Sequence, residues 1–279
     1  MWILQKIQRI VTGDLGEVTI SLVVWSRCVM QEKVTGMVLS GTPVGEYDKR
    51  LVILTKERGK ISAFARGARR PRSPLLAACE PFTFGEFSVY RGRDSYTVSS
   101  VEVNNYFSEL RVDLDDIYMG MYFCEVADYF TRDNLDAREV LKLLYQSLRA
   151  LKVPSLNRNL VKIIFEFKMI AVNGEAPRLF SCIRCGKKED LFYFHKQESG
   201  ILCDTCYHAP PYEGKGAVQI SGTSTYILQR IIASPVEKLY TFTVTEKVQK
   251  EMEGIVKQYF SEKTDREFTA SKILDTLMG

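Results

Sequence analysis

The sequence predicts an α+β multidomain chain: a small β-barrel in front, an α-helical domain behind it, and a four-cysteine metal ribbon inserted into that domain. Three observations carry this. Short strand-like runs crowd the stretch from Met30 to Val103. Helical spacing of apolar residues takes over after Asn104. Two C-x2-C pairs, Cys182/Cys185 and Cys203/Cys206, stand seventeen residues apart.

The chain has 279 residues, 46% hydrophobic and 26% charged, which leaves room for two domains and a small insert. The net charge of +4 does not by itself call for nucleic acid. Its distribution says more. Residues 56–72 hold seven Lys/Arg and one Glu, whereas residues 104–139 hold nine Asp/Glu and three Arg. The expectation is one surface for polyanions and another that stays acidic. No run of apolar residues is long enough for a membrane helix. Seven cysteines, four of them suited to be thiolate ligands, fit a reducing compartment. Cys28, Cys79 and Cys124 then read as small hydrophobes.

Residues 1–29 read in two ways: an extra N-terminal strand built on residues 18–24 (VTISLVV), or upstream codons added by a misplaced start site. The apolar run follows Asp14 and Glu17 rather than cations, which argues against a secretory signal. The domain proper, residues 30–104, opens at Met30. Val34 to Ser40 is strand-like. Leu51 to Thr55 and Lys60 to Ala65 form a hairpin about the Lys56–Gly59 turn. Gly67, Pro71 and Pro74 break the pattern. Phe82 to Tyr90 and Tyr96 to Val103 flank the Arg91–Asp94 turn. Five short strands are best kept free of open edges by closing into a barrel of the OB type.

Residues 105–279 read as helical. The predicted helices are Leu114–Phe130, Asp136–Leu151 with Asp136 as N-cap, Asn159–Val172, Ser221–Ala233, Thr245–Phe260 and Ala270–Leu277. Asp113, Asp115 and Asp116 precede or open the first; complementing its dipole suits them better than holding magnesium.

Between the third and fourth helices lies the insert, residues 179–212. Its cysteine spacing is that of two knuckles closing on one tetrahedral zinc, with Leu191–Phe194 and Gly200–Leu202 as a hairpin between them. Gly186 supplies the positive φ such a knuckle uses. Four thiolates leave no open position for water, so the metal is structural. The alternatives are two disulfides, a site that no longer binds metal, or His208 competing as a ligand. A deaminase zinc is excluded, because no proline precedes Cys182 or Cys203.

The basic segment sets Arg66, Arg69, Arg70 and Arg72 on and just after a barrel strand, with Lys60, Arg91 and Arg93 able to extend the strip. Guanidinium groups pair bidentately with phosphate and stack on bases. Phe64, Tyr90 and Tyr96 offer stacking faces, although alternation favours the barrel core for each. No phosphate-binding loop, dinucleotide fingerprint or nucleophile elbow occurs, so the chain is not expected to be an enzyme.

In order along the chain stand Gly45-Glu46-x-Asp48, Leu51–Thr55, Gly59-Lys60, Ala65–Pro71, Pro81-Phe-x-Phe-Gly85, Tyr90–Gly92, the four cysteines and Ser271-x-x-x-Leu. With this ordered set the chain resembles the RecO family of bacterial recombination mediators, from about Met30 to Leu277. Residues 1–29 have no counterpart in the family pattern. The resemblance implies an N-terminal OB-fold barrel, a helical domain and an inserted zinc ribbon. It implies binding of single- and double-stranded DNA, annealing of complementary strands, and work with RecR to load RecA onto strands coated by single-strand-binding protein. It further implies no nucleotide hydrolysis and a bacterial cytoplasmic, nucleoid-associated location; a basic groove in the helical domain is expected to take the acidic tail of single-strand-binding protein. Competing readings are an RNA-binding, translation-associated OB module with a zinc ribbon, and a scaffold whose arginines dock acidic tails.

Overall fold

Period-two alternation in the front of the chain builds five strands: β1 (Gln31–Val44), β2 (Asp48–Thr55), β3 (Gly59–Ala65), β4 (Phe84–Arg91) and β5 (Tyr96–Asn105). The computed structural model describes residues 31–278; both readings of residues 1–29, and Cys28, lie outside them. The strands close in the order β1-β2-β3-β5-β4, with β4 returning to β1. β3 and β5 run parallel and the other neighbours antiparallel. A one-turn helix, α1 (Leu75–Ala78), lies between β3 and β4, and Leu75, Ala68 and Cys79 fill the barrel interior beside it.

β1 runs well past the predicted Val34–Ser40, because ladder pairing engages backbone and extends through its polar ends. Its register shifts between Val38 and Ser40. Strand alternation lets consecutive residues serve two cores: Val38 belongs to the barrel interior, Leu39 to the core of the helical domain. Met37, Leu54 and Phe82 join Leu39 there, so one outer side of the barrel is covered by helices.

The helical domain contains α2 (Leu114–Phe130), α3 (Arg138–Ala150), α4 (Arg158–Val172), α6 (Gly222–Ala233), α7 (Glu246–Lys263) and α8 (Thr269–Met278), with a short α5 (Asp204–His208) in the insert. α2 packs against α8, α3 and β1, and α4 against α3, α6 and α7. Asp113 caps α2 by accepting the Asp115 N–H at 2.9 Å. α3 begins two residues after Asp136, which accepts the Arg138 N–H at 3.1 Å from outside the helix. α4 takes Asn157 as N-cap, so it includes Arg158.

The insert folds as a four-stranded sheet in the order β6-β8-β7-β9, where β6 is Arg178–Cys182, β7 Leu191–His195, β8 Gly200–Cys203 and β9 Ala217–Gln219. The β7–β8 hairpin matches the prediction; β6 and β9 are additions. Among the described residues no helix is long and apolar enough to cross a membrane.

Candidate metal centre and nucleic-acid interface

The β6 end and the turn after it bring Cys182 and Cys185 together; β8 and α5 supply Cys203 and Cys206. All four sulfur atoms lie within 4.8 Å of one another. The Cys185 and Cys203 sulfurs are 3.7 Å apart. A tetrahedral ion with metal–sulfur bonds of about 2.3 Å requires a sulfur–sulfur edge of about 3.8 Å. A disulfide would need about 2.05 Å. The four residues therefore fit a tetrahedral tetrathiolate metal and are not paired as disulfides.

Gly186 holds φ +76° and donates its N–H to the Cys182 carbonyl at 2.9 Å, which closes the first knuckle. Burial opposes ionisation of Cys182. The backbone N–H groups of Cys185, Cys203 and Arg184 favour its thiolate and prevail, bringing the thiol down to about 6. Burial, with hydrogen bonding among the thiols, pushes Cys206 up to about 12. His208 stands outside the cluster: its Nδ1 lies 3.0 Å from the Asp204 carbonyl, and the ring is exposed.

The arginines after β3 occupy a loop tied to the β1–β2 turn. Asp48 accepts the Gly67 N–H at 2.7 Å, and the Tyr47 carbonyl accepts the Arg69 N–H at 2.8 Å. The Arg69 guanidinium donates to the carbonyls of Gly45 and Glu46, and that of Arg70 lies 5.3 Å from the Tyr47 ring centroid. This loop and the β1–β2 turn thus form one rim. Arg66, Arg69, Arg70 and Arg72 are exposed, and among the described residues none has a carboxylate partner. Arg91 and Arg93 are likewise exposed and unpaired. They occupy the opposite end of the β3–β5 ladder, because the parallel pairing sets Tyr96 beside Ala63 and Val98 beside Ala65.

Lys60 departs from the expectation. Its Nζ meets Asp128 Oδ1 at 3.0 Å and the Asp128 carbonyl at 2.8 Å, which commits it to the junction with α2. Arg58 is committed in the same way to Glu32, at 2.7 Å. The expected acidic surface is also largely spent. Arg158 pairs with Asp113, Asp115 and Asp116, Lys152 adds a second partner to the fully buried Asp116, and Lys142 meets Glu139.

Between the two ends of the ladder lies an open sheet face. Phe64 is half-buried, belongs to neither apolar core and faces outward; Tyr90 is exposed; only Tyr96 lies in the barrel interior. Arg50, which the sequence pattern left just before the predicted strand, is part of β2 and pairs in register with Phe64. Its Nε donates to Ser62 Oγ at 2.9 Å. The alternation Lys49 in, Arg50 out, Leu51 in is the signal that could have found it.

Comparison with known proteins supports the same division of the chain. The model of "Recombination protein O N terminal" matches residues 30–107, and that of "Recombination protein O C terminal" matches residues 111–272. Curated proteins named DNA repair protein RecO are similar over most of their length. That of Acetivibrio thermocellus is 32% identical over 246 residues, 88% of this chain and 96% of the relative. That of Alkaliphilus metalliredigens is 29% identical, covering 84% and 94%. That of Bacillus pumilus is 28% identical, covering 88% and 94%. Barrel, helices and cysteine cluster thus fall within two family segments in their proper order, and the chain belongs to the RecO family.

Proposed function

We propose that this chain is a DNA-binding recombination mediator. It holds single and double strands by their phosphates, anneals complementary strands and, with RecR, helps load RecA onto DNA coated by single-strand-binding protein, whose acidic tail docks on the chain. Membership of the RecO family places the chain in DNA repair and recombination. The finer reading rests on one observation: seven guanidinium groups on the outer face and rims of the barrel, Arg50, Arg66, Arg69, Arg70, Arg72, Arg91 and Arg93, have no carboxylate partner among the described residues. Such a surface neutralises two repelling backbones so that complementary strands meet. Base pairing then supplies the sequence specificity. The work needs no nucleotide hydrolysis and fits a bacterial cytoplasm at the nucleoid. The metal is one structural zinc on Cys182, Cys185, Cys203 and Cys206, which braces the insert and leaves the strands to the barrel.

The test replaces Arg66, Arg69, Arg70 and Arg72 together with glutamine. Affinity for single-stranded DNA should fall. The slope of log affinity against log salt should flatten by up to about 0.7 for each phosphate that the variant no longer neutralises. Unchanged affinity with an unchanged slope refutes the assignment. A strand-annealing assay with RecR pull-down then separates the mediator from a mere DNA binder.

A further inference from the structure

We infer that Phe64 makes the barrel face selective for unpaired bases. The inference rests on the DNA-binding reading above and adds to it a preference for single strands over duplex. Along β3, Ile61, Ala63 and Ala65 fill the barrel interior, so Lys60, Ser62 and Phe64 face outward, and the exposed Arg66 follows in the turn. Lys60 is tied to Asp128 at the helical junction, which leaves Phe64 as the aromatic that β3 itself presents. Its Cα partners are Arg50 on β2 and Thr97 on β5.

Neither apolar core uses the phenylalanine here, and its ring is half-buried. What surrounds it is chemically specific. Arg50 is steadied by Ser62, and the exposed Arg66 opens the turn directly after β3; neither has a carboxylate partner among the described residues. An aromatic face between two free guanidiniums is complementary to one unit of a single strand: a base to stack on the ring and phosphates to meet the cations. In an intact duplex the base faces are already stacked on one another, so only the cations gain from it.

The consequence bears on annealing. Once two complementary strands pair, their bases leave Phe64, and the product is held by its phosphates alone. Duplex is therefore bound less tightly than the strands that formed it, and release needs no nucleotide hydrolysis.

The experiment measures binding by fluorescence anisotropy with three probes: an oligothymidylate, an abasic strand of the same length and a duplex. Phe64→Ala should weaken oligothymidylate binding by roughly tenfold and change abasic and duplex binding by less than about twofold. Phe64→Trp should retain the preference for the base-bearing strand. Arg50→Gln should weaken all three, because phosphates are common to them. Equal losses on all probes with Phe64→Ala would mean a folding defect, and no loss would mean a ring that packs idly; either overturns the inference. Should the unaltered protein bind none of the probes, the DNA-binding reading itself fails, which is a separate outcome.

Discussion

Glu166 is buried in α4, where the Tyr122 hydroxyl donates to Oε1 at 2.5 Å and the Lys162 ammonium lies 3.8 Å away. Burial raises its pKa above the ordinary 4.5, while Lys162 and Tyr122 pull against that rise. A carboxyl with a raised folded-state value holds its proton over a range where the unfolded chain has lost it. Its contribution to stability is therefore fully present below the ordinary carboxylate value and is lost as pH rises through the folded value. Glu166→Gln keeps the size of the side chain and an acceptor for Tyr122, and cannot ionise. Thermal unfolding followed from acid to neutral pH should show the variant gaining on the parent as pH rises, by about 2–4 °C for each kcal/mol recovered. Two curves that stay parallel across the range would show that Glu166 titrates normally. Lys168 illustrates the opposite sign on the same helix: burial lowers its pKa, and its ammonium donates to the carbonyls of Ile232 and Ser234 at the end of α6.

The β2–β3 turn is the element that fixes barrel to helices. Thr55 Oγ1 accepts the Arg58 N–H and donates to the Gly59 carbonyl, which stitches the turn internally. Gly59 and Lys60 then pair with Asp133 in the α2–α3 connection. Gly59 sits at φ +63°, and a Cβ there would lie 2.0 Å from the Leu135 carbonyl oxygen. Gly59→Ala should therefore cost at least about 1–2 kcal/mol for the left-handed backbone alone, with the steric clash added. Lower thermal stability and faster amide exchange across residues 131–136 are the expected readouts; an alanine variant as stable as the parent would show that the turn is not clamped. The hairpin itself was legible in the sequence, because Leu51–Thr55 and Lys60–Ala65 alternate about an evident turn. Its docking was not, since nothing local to Gly59 names a partner in the α2–α3 connection. β6 and β9 were illegible for a related reason. Each is a short edge strand of the ribbon sheet, paired through backbone, so neither needs the apolar alternation that betrays a strand. Arg50 and Phe64 became neighbours only once β2 and β3 were in register.

Across the whole molecule, charge counted along the chain and charge left free in space are different quantities. Residues 104–139 look acidic in sequence, yet Arg158 and Lys152 arrive from α4 and its approach to cancel the start of α2, and Lys60 arrives from the barrel to cancel Asp128. Arg50, Arg66, Arg69, Arg70, Arg72, Arg91 and Arg93 of the barrel meet no such partners among the described residues, so the free charge concentrates there. The cysteine insert is organised by a different core. Cys182, Leu191, Phe194, Ile201 and Cys203 belong to the same apolar cluster as the helices, Phe194 meets Tyr259 of α7 edge-on at 5.8 Å, and Thr225 of α6 donates to the Leu191 carbonyl at 3.0 Å. The sequence suggests an insert too small to fold without metal; the structure gives it a shared core as well. Chelation should therefore loosen the knuckles at Cys182–Gly186 and Cys203–His208 without dismantling β7 or the barrel. Amide exchange should quicken in the knuckles, the melting temperature should fall, and single-strand affinity should change by less than about twofold, since the arginines proposed to meet phosphate all lie on another core. A large drop in DNA affinity on chelation, with exchange in residues 31–105 unchanged, would move part of the binding surface onto the ribbon and break the separation between brace and binding face.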